Sequence, residues 1–116
     1  MPKQVFSFSG CDFVDFVCKK FDEAKGLFLQ KNRQYSTATD PMANFRTGAL
    51  LRYHSDEPEF MYEAAKDYMA KHVAQVYNND ALGDKVDESL LDIANYAMIM
   101  LYLREEAKRN QGKGAA

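Results

Sequence analysis

The chain has 116 residues, enough for one domain whose core needs no metal or disulfide staple. Its 15 Lys and Arg nearly balance its 17 Asp and Glu, and no block of like charge stands out, so a basic stripe for nucleic acid is not expected. The amino-terminal MPKQVFSFSG lacks a basic region followed by a long apolar run, which argues against a secretory signal and for a cytoplasmic protein.

Strand alternation is nearly absent and no internal repeat is evident, so the pattern predicts an all-α protein. The first helix is predicted from about Cys11 to Arg33, with Ser9 and Asp12 resembling a capping box. Val14, Val17, Cys18, Phe21, Ala24 and Phe28 share one face of it and are expected to bury. Cys11 and Cys18, two turns apart on this helix, are too distant to bridge and are expected to stay reduced. Gln34 to Pro41 reads as a loop, rich in Ser, Thr and Asp and closed by a proline.

A short helix follows, about Met42 to Tyr53. Ser55–Asp56–Glu57–Pro58 then combines a capping side chain with a proline for the first turn, which starts a third helix running to about Tyr77. Asn78–Asn79–Asp80 and Gly83 mark a turn, and the fourth helix runs from about Lys85 to Lys108. Residues 1–110 are expected to form one helical domain, and the tail 111–116, QGKGAA, is expected to be disordered. Three long helices and one short one make a compact bundle.

The fourth helix raises a specific question. Its segment ESLLDIANYAMIMLYL, from Glu88 to Leu103, is apolar around most of its circumference, yet carries Glu88, Asp92 and Asn95. It falls short of about 18 uninterrupted apolar residues, so no membrane span is expected. At about 100° per residue, Glu88, Asp92, Asn95, Ile99 and Tyr102 fall on one narrow stripe. A buried carboxylate is costly unless paired, hydrogen-bonded or bound to a metal. Offset four stacks Glu88 over Asp92, where the two repel unless a cation lies between them. Mg²⁺ takes oxygen ligands of this kind. The competing explanation is the helix dipole, which suits Glu88 at the first turn but not Asp92 inside the apolar run.

Glu63 and Asp67 repeat the offset on the third helix. There the pattern favours an ordinary solvated face, with Lys66, Lys71 and Gln75 in the same sector, an Asp67–Lys71 ion pair, and Met61, Ala65, Tyr68, His72 and Val76 opposite. Lys31–Asn32–Arg33–Gln34–Tyr35 closes the first helix, where basic residues suit the dipole and would equally suit a phosphate. Tyr35, Asn44 and Phe45 flank the loop and are placed to stack on a base and read its edge. Capping and loop packing explain the same residues. No His/Cys spacing suggests zinc, and no Gly-rich phosphate loop is present.

The succession FLQKNRQY, DPMANF, an acid-bearing middle helix and DESLLDIANYAMIMLYLREE resembles the nucleotide-modification-associated domain 1 family, found often in phages and prophages. The resemblance spans roughly Phe16 to Glu106, and the final-helix motif is its specific part. That family is similar in organisation to the all-α nucleoside triphosphate pyrophosphatases, the MazG and dimeric dUTPase group. The resemblance implies a MazG-like bundle that binds an NTP or dNTP with Mg²⁺ and releases pyrophosphate. Glu88 and Asp92 would be the catalytic acids. Together with Asp67 and Glu63 they would hold the metal, which neutralises charge and activates a water. Lys31 and Lys71 would meet phosphate, Tyr35, Asn44 and Asn95 the sugar or base, and Asn32 would also bind the nucleotide. The usual Glu-x-x-Glu is here Glu63-x-x-x-Asp67, and Ser89 stands three residues before Asp92 where an acid is usual. The alternative is a non-catalytic nucleotide- or protein-binding module of a mobile element. Either way the apolar circumference of the fourth helix predicts a homo-oligomer.

Overall fold

A computed structural model describes residues 10–35 and 39–114. Four helices run in chain order: α1 (Gly10–Tyr35), α2 (Ala43–Tyr53), α3 (Pro58–Tyr77) and α4 (Val86–Gly114). The described residues contain no strand, and the all-α bundle of three long helices and one short one is as expected. The proposed Ser9 cap lies outside the described residues, as do the side chains of Cys11 and Tyr35. Cys18 is exposed and in no disulfide.

Local chemistry sets the helix ends. Pro58 sits in the first turn of α3, but no side chain caps that helix; the Ser55 hydroxyl instead accepts the Glu57 N–H at 3.3 Å, outside the helix. The start of α2 is held by Asp40, which accepts the Met42 N–H at 3.0 Å through one oxygen and the Arg46 Nε–H at 2.8 Å through the other. Arg46 reaches on to Asp56 at 3.0 Å and so ties both ends of α2 together. The hydrogen bond from Arg46 holds the Asp40 carboxyl below its ordinary pKa. α2 ends at His54, in the left-handed conformation with φ 61°. α4 runs past the expected end at Lys108 to Gly114; Ala107, Arg109 and Gln111 are good helix formers and no proline intervenes.

α4 is the hub, packing on α3 along one side and on α1 along another, while α2 packs on α3. Ala49, Met61, Ala64, Ala65 and Leu103 form the buried core, with Phe45, Phe60, Ile99 and Met100 against it. Three of these five core residues are alanines, so α2, α3 and α4 approach closely. Gly48 serves the same approach: a methyl group there would overlap the Tyr68 hydroxyl. Among the described residues no helix is long and apolar enough to cross a membrane.

One expectation fails on α1. Of the face Val14, Val17, Cys18, Phe21, Ala24 and Phe28, only Ala24 is buried, and Val14 and Phe21 stand 55% and 60% exposed. These residues share one side of α1, but the packing of α4 leaves much of that side open.

Candidate functional site

The polar stripe of α4 faces α1. Lys31 of α1 extends its Nζ to Asp92, donating to one carboxylate oxygen at 2.8 Å and to the other at 2.9 Å. The same Nζ lies 3.4 Å from Glu88. One turn further on, the Asn95 amide donates to the Ala24 carbonyl of α1 at 2.9 Å. Asp92 is 4% exposed, so its charge is tolerated because Lys31 compensates it. Burial alone would lower the Lys31 pKa. The hydrogen bonds and charges of Asp92 and Glu88 outweigh that cost, and the ammonium titrates above its ordinary value.

Beside this ion pair lies a cleft of about 250 Å³, bounded by α1, α3, α4 and the start of α2. Lys31, Asn32, Asn44, Lys71, Asn95 and Asp92 all line it. Five of the six residues expected to meet a nucleotide therefore converge on one place; the sixth, Tyr35, has its side chain outside the described residues. The cleft also has an aromatic wall. Phe45 lies edge-on to Tyr96, with centroids 6.3 Å apart, and 5.8 Å from Tyr68. His72 stacks obliquely on Tyr96 at 5.7 Å. Tyr68, His72 and Tyr96 were missed as site residues. Tyr68 and His72 lie on the face of α3 that the spacing assigned to the core, and an isolated histidine carries no ligand pattern.

The two acidic pairs do not converge. Glu63 is held by Lys66 at 2.9 Å, one turn along its own helix. Asp67 accepts from the Tyr53 hydroxyl and lies 3.3 Å from Arg52, so its partners are on α2 and not Lys71 as the helical spacing suggested. Both carboxylates are partly exposed, as expected for a solvated face. Among the described residues no group of three or more His, Cys, Asp or Glu is spaced to hold a metal ion. The metal set Glu63, Asp67, Glu88 and Asp92 is thus divided, and the half beside the cleft already has a cation in Lys31.

His72 lies 3.5 Å from the second oxygen of Asp92. Desolvation pushes its pKa below the ordinary value, the Asp92 charge pulls it back up, and Lys71 and Lys31 push it down again. The folded state therefore binds this proton less readily than the unfolded chain. The stability tied to neutral His72 is present above about pH 6.5, the unfolded histidine value, and is lost as pH falls toward the lower folded value. Thermal melts should show the midpoint dropping between pH 7 and 5, with a shallower drop in His72→Gln. Equal slopes in the two proteins would exclude His72 as the titrating group.

Compared with protein-family profiles, curated proteins and solved structures, the chain gives no match.

Proposed function

We propose that this protein binds a nucleotide in the cleft between α1, α3 and α4. The observation that carries the reading is the convergence of Lys31, Asn32, Asn44, Lys71 and Asn95 with the aromatic wall of Phe45, Tyr68 and Tyr96. Rings supply stacking for a base, amides supply donors and acceptors for its edge and sugar, and a lysine supplies charge for phosphate. Lys71 lines the cleft and has no carboxylate partner among the described residues, which suits an anionic ligand.

Mg²⁺ is the ion the family resemblance implies, and the acids present do not fit it as they stand. Asp92 spends both oxygens on Lys31, Glu88 is largely solvated on the same lysine, and Glu63 and Asp67 are engaged on α3 and α2. This arrangement favours a binding protein over the Mg²⁺-dependent pyrophosphohydrolase of phage or prophage type. A cytoplasmic homo-oligomer is part of the same proposal.

Calorimetric titration with NTPs, dNTPs and modified nucleotides, each with Mg²⁺ and with EDTA, tests it. Binding is expected in both conditions, without release of pyrophosphate. Lys71→Ala should weaken binding about tenfold, the loss of one charge-assisted hydrogen bond. No binding by any nucleotide would remove the proposal. Pyrophosphate release that disappears in Asp92→Asn would restore the hydrolase.

A further inference from the structure

We infer that the cleft is built for a nucleoside carrying one phosphate, and that a second and third phosphate add nothing to its binding. This preference rests on the nucleotide reading and departs from the NTP or dNTP that the family resemblance implies.

Among the described residues that line the cleft, Lys31 and Lys71 carry positive charge. Lys31 is already committed. Its Nζ donates to both oxygens of Asp92, at 2.8 and 2.9 Å, and lies 3.4 Å from Glu88. A phosphate could draw it away only by leaving Asp92 uncompensated at 4% exposure. His72, the other basic group on the wall, titrates below its ordinary value and is mostly neutral at about pH 7. Lys71 is thus the one ammonium on these walls open to a ligand, and it matches one phosphate.

Further phosphates meet no better partner in any direction. Toward the polar stripe of α4 they approach the carboxylates of Asp92 and Glu88, where like charge repels. Past Phe28 and Ile99, which line both hollows, the cleft adjoins a groove of about 520 Å³. Phe21, Ala94, Met98 and Tyr102 make that groove apolar, and Lys25 is the one charged residue among its described lining. A polyphosphate laid there would lose water and gain few donors. Left in solvent, it would gain no contact at all. Size agrees with charge. The cleft holds about 250 Å³, under the ~300–1,000 Å³ usual for small-molecule sites, which leaves little room beyond a nucleoside and its first phosphate.

Calorimetric titration of the full chain tests this with each base as nucleoside, monophosphate, diphosphate and triphosphate, in EDTA and in Mg²⁺. The monophosphate should bind about tenfold more tightly than the nucleoside, the worth of one charge-assisted hydrogen bond. The di- and triphosphate should bind no more tightly than the monophosphate in either condition. A triphosphate that binds more tightly, with or without Mg²⁺, overturns the inference, and so does a monophosphate no tighter than its nucleoside. Lys71→Ala should erase the step from nucleoside to monophosphate; a step that survives means another group holds the phosphate, and the single-lysine match fails. Lys25→Ala should change none of these affinities. A loss in that variant confined to the di- and triphosphate would seat their phosphates in the apolar groove and equally overturn the inference. If no form of any base binds, the nucleotide reading itself falls. If nucleotides bind with affinity rising with phosphate number, that reading stands and the one-phosphate preference alone is lost.

Discussion

Lys31→Met should lower stability by about 2–3 kcal/mol, because it strands the Asp92 carboxylate at 4% exposure without its cation. Removing one partner of a fully buried pair costs ~3–5 kcal/mol. The figure here is smaller because Lys31 keeps 34% of its side chain in water. At this chain length the thermal midpoint should fall by about 10 °C. The pair itself contributes less than its disruption costs, since both charges were desolvated to form it. Lys31→Met combined with Asp92→Leu should therefore recover most of the loss. A double variant no more stable than Lys31→Met would show that Asp92 is held by something other than this lysine.

Leu103→Ala should cost about 3–5 kcal/mol, toward the upper end for such truncations. The cost of a cavity depends on how far its surroundings collapse into it. Leu103 is fully buried in a core shared with Ala49, Ala64 and Ala65, which have no side-chain atoms to swing into the void. The backbones that carry them belong to helices already in close contact. Urea unfolding measures the loss directly. A change below about 1.5 kcal/mol would mean that Met61 or Met100, the flexible neighbours, refill the space.

The helices were legible because their punctuation is local. Pro58, the Asn78–Asp80 turn and the proline after Asp40 each mark a boundary through backbone chemistry that one short stretch of sequence contains. The stripe from Glu88 to Tyr102 was legible as a set, because residues at these offsets must share a face. What that face meets was not legible. The partner of Asp92 lies 61 residues away, and no spacing rule pairs α1 with α4. For the same reason the spacing, which rightly favoured a solvated face for Glu63 and Asp67, gave Asp67 the wrong partner in Lys71. Only the packing of α2 on α3 shows Asp67 taken by Tyr53 and Arg52. The clamp of Asp40 on Met42 and Arg46 did have a local signal, an aspartate just before the turn that opens a helix, and was missed.

The polar stitching of α1 to α4 has a bearing on motion. α1 is fastened through Lys31 and Asn95, with little buried apolar surface behind them, whereas α2, α3 and α4 share the alanine-lined core. The chain is therefore built from two units of unequal tenacity, and the weaker one peels away first. Its departure uncovers a carboxylate that the intact fold keeps dry, so water entering at that seam works against reclosure only as long as Lys31 stays away.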